Sequence, residues 1–412
     1  MSCFKLILRG FSRGVIVAVG LIWLFACESN TPEPGLKASL RDITASEVEL
    51  VNSSNDFALD LLKVTDQSTD EENIFISPLS VGMALGMLYN GAEGTTKEEI
   101  EATMGLSGFD KTELNKTFNE LMSLLMMIDD KVDLTIANSV WYKEEYTVKD
   151  EFRNLVMAYF DAEVQGLDFE KESAVSTINN WVEAKTLGKI PVLLDRIPPE
   201  SVMYLINAMH FKALWKQQFD VDETRKSAFQ TGNAEVLVDM MHGKDMPMLH
   251  YRDSDLELVE LSYGDGQFCL TVMMPAKDPE NFLNNLTSDS FNNFLEMADT
   301  SSMDINMPKF SLAFEITLND VLKTMGLKQA FTDQAELGGL FEETLPLTVS
   351  EVLHKAVIEV DESGTEAAAV TSVGIGLTSL PMAVDLNRPF IFMIRERHTQ
   401  AILFSGILRN PL

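Results

Sequence analysis

The pattern of apolar and polar positions along the chain predicts several α-helices, two of them with clear start signals. Ser77-Pro78 followed by the apolar run Leu79–Tyr89 predicts a helix with a serine N-cap that ends at Asn90-Gly91. Residues 96–99 read Thr-Lys-Glu-Glu, a capping-box pattern that predicts the start of the next helix. Two further predicted helices, each followed closely by a glycine, are residues 174–186 and 316–325.

Strand signals are concentrated later in the chain. Leu256–Leu261 and Phe268–Met274 are β-rich runs on either side of Tyr263-Gly264-Asp265-Gly266, and together they predict a hairpin. Ile402–Leu408 is almost entirely apolar, so we expect a buried central strand there. The remaining predicted strands are Ala356–Val360 and Phe390–Arg395. Helices that come early and strands that come late favour an α+β fold over alternating βαβ units.

The first residues have the pattern of an export signal. Basic residues precede an apolar run over residues 14–25, which is too short to span a bilayer comfortably. The run ends in Leu24-Phe25-Ala26-Cys27, which resembles the lipobox of bacterial lipoproteins and implies a lipid on Cys27. The alternative is an ordinary secretory signal with a chance cysteine. The predicted division is a signal peptide over 1–26, a polar tether over 27–45 and one folded domain over 46–412.

This interpretation predicts an exported, lipid-anchored protein at a bacterial membrane, on the periplasmic face or the cell surface. The net charge of the full chain, −31 at pH 7, disfavours binding to nucleic acid and helps keep an exported protein in solution. Cys269 is the only cysteine after Cys27, so we expect no internal disulfide.

Motifs of enzymatic chemistry are missing from the sequence. It has no metalloprotease His-Glu-x-x-His, no Gly-x-Ser-x-Gly, no phosphate-binding glycine loop and no Cys-x-x-Cys. The five histidines do not have the spacing of metal ligands. We therefore predict no catalytic residue, no metal and no cofactor.

A series of motifs between residues 73 and 406 resembles the serpin family in both sequence and order. The segment around Asn207–Trp215 resembles the strand that borders the insertion site for the family's reactive loop. The strongest match is Ser350–Ala356 followed by Val360–Ala369. The other matching stretches are Asn73–Ser80, Ile178–Val182, Gly188–Ile190, Pro308–Phe310, Arg388–Phe390 and Leu403–Gly406.

The resemblance implies three β-sheets with eight or nine helices and an exposed reactive centre loop over about 362–386. It also implies a monomeric suicide-substrate inhibitor of serine endopeptidases, with papain-like cysteine endopeptidases as a second target class. In that mechanism the protease cuts the loop and forms an acyl-enzyme, and the cut loop inserts as a strand into the main sheet. The alternative is a non-inhibitory serpin that serves as a surface binding protein.

Counted from Glu362, the loop has the spacing of inhibitory serpins, which implies a scissile bond between Thr378 and Ser379. Cuts after Leu377 or Leu380 are the alternatives. Because Thr378 is small and uncharged, the expected partners are elastase-like or subtilisin-like serine proteases, whereas Leu377 would also suit papain-like enzymes.

The segment that would insert has one face that can be buried. Along an inserted strand the side chains alternate, so Thr365, Ala367 and Ala369 share an uncharged face while Glu366 points the other way. Val370 is larger than the residue usual in the family and should slow insertion slightly. The predicted hinge residues are Glu362, Gly364, Thr365, Glu366, Ala367, Ala368, Ala369 and Val370.

The resemblance also assigns residues that control opening of the main sheet. A buried polar network beneath the opening, the family's shutter, maps onto Ser77, Ser80, Asn207 and His354. Glu362 and Lys309 map onto an ion pair at the head of the sheet, the breach, beside Trp215.

Overall fold

The computed structural model describes residues 40–232, 234–344, 346–365 and 383–412. The predictions that concern Cys27, the hinge residues 366–370 and the bond at Thr378-Ser379 lie outside these residues. Within the described part of the chain, one unit covers Arg41–Leu412. Its α-helices are α1 (Ala45–Ser68), α2 (Pro78–Gly91), α3 (Gly94–Thr103), α4 (Lys111–Met127), α5 (Asp150–Phe160), α6 (Glu172–Lys185), α7 (Pro279–Asn285), α8 (Ser288–Met297) and α9 (Asn319–Met325).

The strands confirm an α+β architecture in which most helices precede most strands. They are β1 (Ile74–Ile76), β2 (Val132–Lys143), β3 (Glu163–Leu167), β4 (Met203–Leu214), β5 (Arg225–Gln230), β6 (Glu235–Arg252), β7 (Leu256–Ser262), β8 (Phe268–Pro275), β9 (Asp299–Pro308), β10 (Phe310–Thr317), β11 (Leu353–Val360), β12 (Gly364–Thr365), β13 (Ala383–Asp385), β14 (Phe390–Glu396) and β15 (Ile402–Leu408).

The described strands form two hydrogen-bonded networks. The first is a six-stranded sheet in the order β10-β11-β12-β4-β2-β3. The second has nine strands, and its main path is β1-β15-β14-β8-β7-β6-β9-β13, with β5 paired to β6. The long strand β6 has a register shift between Gly243 and Met246. Its first half pairs with β5 and its second half with β7, so the larger network consists of two sheets joined through β6 and β9.

Helix α2 lies at the centre of the molecule because nearly every one of its residues is apolar or small. Ser77 caps it by accepting a hydrogen bond from Ser80 N, and Pro78 occupies its first turn. Almost all of its residues are buried, and it packs against β4 and β15 from the two networks. At Gly86 an added Cβ would lie 3.2 Å from the ring of Phe160, so glycine allows the close approach of that ring.

Two sequence predictions of helix starts were wrong. Helix α3 begins at Gly94, and Thr96 does not act as its cap. The Thr96 hydroxyl accepts a hydrogen bond from Glu336 N, while the Glu336 carboxylate accepts one from Thr95 N at the helix start. A distant segment thus supplies the cap that the local pattern had assigned to Thr96.

The other displaced boundary concerns the segment predicted as a helix over 316–325. Strand β10 continues to Thr317, which pairs with Leu353, and α9 starts only at Asn319. Ladder hydrogen bonds with β11 therefore outcompete helix formation at the first two positions. The predicted hairpin at residues 263–266 is confirmed between β7 and β8, and Ile402–Leu408 is confirmed as a buried strand between β1 and β14. Among the described residues, no helix has both the length and the apolar character needed to cross a membrane.

Candidate functional site

A gap in the six-stranded sheet is the main feature of the site. Within the described part of the chain, β4 and β11 are joined only through the two residues of β12. Thr365 pairs with Val360 on one side and with Ala213 on the other, and Gly364 pairs with Leu214. Below β12 the two strands border a cavity of about 140 Å³. We call this gap between β4 and β11 the central cleft.

The head of the central cleft is a tight turn over residues 361–364. The Asp361 carboxylate accepts hydrogen bonds from Ser363 N and Gly364 N, and Asp361 N donates to Gly364 O. Gly364 has φ +151°, and an added Cβ would lie 2.1 Å from Ala213 O. Only glycine allows the backbone to approach β4 this closely. The chain after Glu362 is therefore directed into the cleft.

Aromatic side chains form the wall behind this turn. Trp215 Nε1 donates to Asp361 O at 2.8 Å, and Trp215 N donates to Ser363 O. The Trp215 ring stacks on Tyr263 with centroids 4.3 Å apart and planes inclined by 11°. The Tyr263 hydroxyl lies 2.8 Å from Thr365 Oγ1 in a buried hydrogen bond. Burial raises the pKa of Tyr263, so this hydroxyl is neutral at physiological pH.

The predicted pair of Glu362 and Lys309 is present as an ion pair. Lys309 Nζ lies 2.7 Å from Glu362 Oε2, and Thr224 Oγ1 donates to Glu362 Oε1 at 2.6 Å. Burial alone would raise the pKa of Glu362, but the hydrogen bonds from Lys309 and Thr224 outweigh it and lower the pKa below its usual value. The carboxylate therefore stays charged while it is almost fully buried, and it connects the turn to the segment before β5 and to Lys309 between β9 and β10.

The predicted network below the opening is also assembled. Ser77 N donates to His354 Nε2 at 3.1 Å, and Ser77 Oγ donates to Leu403 O at 2.9 Å. Burial lowers the pKa of His354 to about 4, so the imidazole is neutral and accepts the hydrogen bond. These contacts join the start of α2 to β11 and to β15, beneath the central cleft.

Ser80 and Asn207 form the part of this network on the β4 side. Ser80 Oγ donates to Asn207 O at 3.4 Å, and Asn207 Nδ2 donates to Asn138 Oδ1 at 2.9 Å. Asn138 Nδ2 in turn donates to Phe160 O at 2.7 Å. Asn207 Oδ1 is buried and lacks a hydrogen-bond partner within the described residues. The network therefore holds a spare acceptor beside the cavity.

The structure thus brings together the sequence-predicted residues that it describes, in two clusters at the head and in the middle of one cleft. Glu362, Gly364, Thr365, Lys309 and Trp215 lie at the head, whereas the other cluster contains Ser77, Ser80, Asn207 and His354. Their roles in opening the cleft stay predictions.

Sequence reasoning missed four polar partners of these residues: Tyr263, Thr224, Asp361 and Asn138. Tyr263 and Asp361 lie within recognised stretches, the hairpin turn at residues 263–266 and the segment Val360–Ala369, so membership of these stretches was an available signal. Thr224 and Asn138 come from segments in which the sequence alone gave no such signal.

Comparison with known proteins assigns the chain to a family. A profile described as Serpin (serine protease inhibitor) matches residues 52–411. The chain belongs to the serpin family. It is 32% identical over 420 residues to Serpin A3-8 of Bos taurus, covering 98% of this chain and 99% of the relative. It is 35% identical to Iripin-1 of Ixodes ricinus over 372 residues, covering 87% of this chain and 94% of the relative.

Solved structures agree with this assignment. The native state of tengpin, a thermophilic serpin, aligns with this serpin with a TM-score of 0.82 and 32% identity, covering 90% of this chain and 96% of tengpin. Human thyroxine-binding globulin in complex with thyroxine aligns with a TM-score of 0.81 and 31% identity, covering 89% of this chain and 100% of the globulin. The fold and the general partner class, proteases, follow from the family.

Proposed function

We propose that this serpin is a single-use inhibitor of serine endopeptidases that inserts its cleaved loop into the central cleft. The main support for the proposal is the strand pairing at the cleft. Gly364 and Thr365 are already paired at its head. Its two sides, β4 and β11, are joined nowhere else among the described residues. Backbone N–H and C=O groups on both sides can pair with a further strand. Insertion would then release free energy that the uncut protein retains.

The chemistry begins at the proposed bait bond between Thr378 and Ser379. The hydroxyl of the protease serine attacks the Thr378 carbonyl carbon, the peptide bond breaks, and the amine of Ser379 leaves with the proton that the protease supplies. Thr378 is then esterified to the protease. Strand growth from Thr365 along β4 and β11 would carry that ester and the attached protease toward the other end of the sheet.

The sequence after Thr365 suits this path. Alternate residues on one face are small or β-branched and uncharged, and the segment from Thr365 to Ile375 contains no proline. The buried acceptor Asn207 Oδ1 lies beside the cavity that the new strand would fill. Val370 fits less easily than a smaller residue, so we expect a fraction of the inhibitor to be lost as cleaved product.

The likeness to thyroxine-binding globulin supports a second candidate. That globulin is a serpin solved with bound thyroxine, so a serpin fold of this similarity can also serve as a binding protein. In that case the loop would not need to trap a protease, and any protease that cuts it would be released. The uncharged, proline-free inserting face favours the inhibitory function.

The test is incubation with a panel of elastase-like and subtilisin-like serine proteases and papain-like cysteine proteases. We expect a covalent complex that survives SDS and a released C-terminal fragment that begins at Ser379, identified by mass spectrometry. A fragment that begins at Thr378 would move the bond to the cut after Leu377, and one that begins at Pro381 would move it to the cut after Leu380. Either result would overturn Thr378 as the bait residue and leave the mechanism intact. Cleavage by every protease without any SDS-stable complex would overturn the inhibitory function.

The matched control for this panel is Thr365→Arg. It places a charge on the buried face while the bait bond is unchanged, so each protease should cut it at the wild-type rate. We expect the covalent complex to be replaced by cleaved product. A complex of undiminished yield would show that insertion does not proceed through this position.

We also propose that Cys27 carries a lipid that holds the domain at a bacterial membrane through the tether 27–45. The support is the Leu24-Phe25-Ala26-Cys27 motif after a short apolar run. The test is expression of the full chain in a bacterium with a radiolabelled fatty acid. We expect label and membrane association in the wild type and their loss in Cys27→Ser; equal fractionation of the two would contradict the anchor.

A further inference from the structure

Tyr263 has a buried hydroxyl group at the head of the central cleft, and its backbone is held by contacts outside the loop. It follows β7, and its backbone is held by a bond from Tyr263 N to Phe268 O and by one from Gly266 N to Tyr263 O. Its ring is fully buried, stacks on Trp215 at 4.3 Å and meets the Phe211 ring edge-on at 5.4 Å. The ring is therefore fixed by packing on two sides.

The hydroxyl of this fixed ring is bonded to the hinge. Thr365 Oγ1 lies 2.8 Å from it, and both residues are at most 3% exposed. If Thr365 moved out of the cleft, the Tyr263 hydroxyl would be left in an aromatic pocket formed by Trp215 and Phe211. An unpaired buried hydroxyl is costly, so the pocket favours the arrangement in which Thr365 is docked.

The same bond is compatible with the start of insertion. Thr365 already pairs with Val360 and Ala213, which makes it the first rung of a new strand between β11 and β4. The next residues would extend from this rung without breaking the bond to Tyr263. The Tyr263 hydroxyl therefore favours a hinge that is already paired at the head of the cleft, compared with a hinge that must first enter the cleft.

We propose that Tyr263 is the positioning residue of loop insertion: its hydroxyl docks Thr365 and so sets how fast the cut loop begins to enter the central cleft. This inference rests on the proposed function. It identifies Tyr263 as the group that starts loop insertion, the step that would trap the protease. Tyr263 does not touch the bait bond. Its removal should leave cleavage unchanged and slow insertion, which diverts molecules from covalent complex to cleaved product.

The experiment is a double-mutant cycle with Tyr263→Phe and Thr365→Val, both of which keep the shape of the side chain and remove one hydroxyl. Insertion after cleavage is followed by stopped-flow tryptophan fluorescence, because Trp215 contacts both Tyr263 and the turn. Each single variant should insert more slowly, by at most about fivefold, because one lost hydrogen bond of ordinary strength lowers the docked fraction of the hinge by no more than that factor. The double variant should be no slower than the singles, because they remove the same bond.

Two further variants separate positioning from general damage. Thr365→Ser restores a hydroxyl on the hinge and should insert at close to the wild-type rate. Tyr251→Phe is the matched control, because the Tyr251 hydroxyl bonds to Asp253 at the surface and not to the hinge. Slowing of the Tyr251 variant to the same extent, or single effects that multiply in the double variant, would overturn the inference. Thr365→Val tests the bond even if Tyr263→Phe fails to fold.

Insertion and inhibition are measured separately in this design. If the wild-type loop inserts after cleavage but no protease is trapped, the inhibitory function fails while the role of Tyr263 is still decided by the fluorescence rates. If proteases are trapped and all variants insert at the wild-type rate, the inference about Tyr263 fails and the inhibitory function stands.

Discussion

At the scale of single residues, Glu362 is a buried charged group at the head of the cleft that depends on its hydrogen-bond partners. Glu362 is 4% exposed, its carboxylate receives hydrogen bonds from Lys309 and Thr224, and its main-chain oxygen accepts from Phe219 N. An exposed ion pair contributes little to stability, but removing one partner of a buried pair leaves the other charge uncompensated. Glu362 therefore ties the turn before the hinge to two other segments.

Reversal of this charge should open the head of the cleft. We predict that Glu362→Lys forms polymers on mild heating at concentrations at which the wild type stays monomeric, because Lys309 would face a second cation and the cleft would become open to another chain's loop. Native gels and light scattering after heating measure this.

The control for this prediction is Glu315→Lys, which reverses a similar pair with Lys355 on a more exposed part of β10. That variant should behave as the wild type does. Equal polymerisation of Glu362→Lys and wild-type protein would count against a latch at this position.

At the scale of elements, His354 connects β11 to the start of α2. The histidine accepts a hydrogen bond from Ser77 N, and this requires the neutral imidazole. Because burial lowers the pKa of His354 to about 4 from an ordinary value near 6.5, unfolding takes up a proton between these two pH values. The contribution of His354 to stability is thus complete above pH 6.5 and is lost as the pH falls toward 4.

This predicts an acid-sensitive junction between the helix and the sheet. Between pH 6.5 and pH 4 the free energy of unfolding should fall by up to ~3 kcal/mol through this group, since one pKa unit corresponds to about 1.4 kcal/mol. His354→Gln should lack that part of the pH dependence, whatever its stability at neutral pH. Urea denaturation at several pH values measures it; identical slopes for the two proteins would contradict the assignment.

A second set of elements is joined by buried charges. Arg395 on β14 lies 2.6 Å from Glu260 on β7, and Arg397 reaches the other oxygen of the same carboxylate at 2.7 Å. Burial would raise the pKa of Glu260, but the two arginines outweigh it and hold the pKa at about 2. This cluster fixes β7 and β14 on either side of β8.

Removal of the charge on Glu260 should be strongly destabilising. We expect Glu260→Gln to lower the free energy of unfolding by about 3–5 kcal/mol, because the buried Arg395 would remain in the interior without a carboxylate. Glu120→Gln, which removes an exposed pair with Lys116 on α4, should change it by less than about 0.5 kcal/mol. A small effect of Glu260→Gln in urea denaturation would contradict the importance of the cluster.

At the scale of the whole molecule, the two networks differ in how completely their described strands are paired. The last strand, β15, pairs with β1 near the other end of the chain, so the larger network is closed by contacts between distant segments. The smaller sheet, in contrast, is bridged at the central cleft only by Gly364 and Thr365 among the described residues. Under the proposed function, the protein would gain stability when the cut loop completes the smaller sheet.

The sequence allowed much of this to be predicted where local signals and distant partners agree. Ser77-Pro78 marked α2, and the hairpin at residues 263–266 followed from its glycines. The pairing of Glu362 with Lys309 followed from resemblance, since no local pattern joins residues so far apart. The start of α3 could not be predicted, because the carboxylate of Glu336 replaces the local cap. The bond of Tyr263 to Thr365 likewise exists only in the folded chain.

Thermal denaturation of the protein before and after cleavage of the loop tests the central claim most directly. Insertion of about 12 residues at ~1 kcal/mol each should add ~10 kcal/mol, which for a domain of this size raises the melting temperature by at least about 10 °C. We predict this increase after a cut at the proposed bait bond between Thr378 and Ser379, which frees the residues after Thr365 to insert. A cleaved protein that melts at the same temperature as the intact one, or at a lower temperature, would contradict insertion into the central cleft.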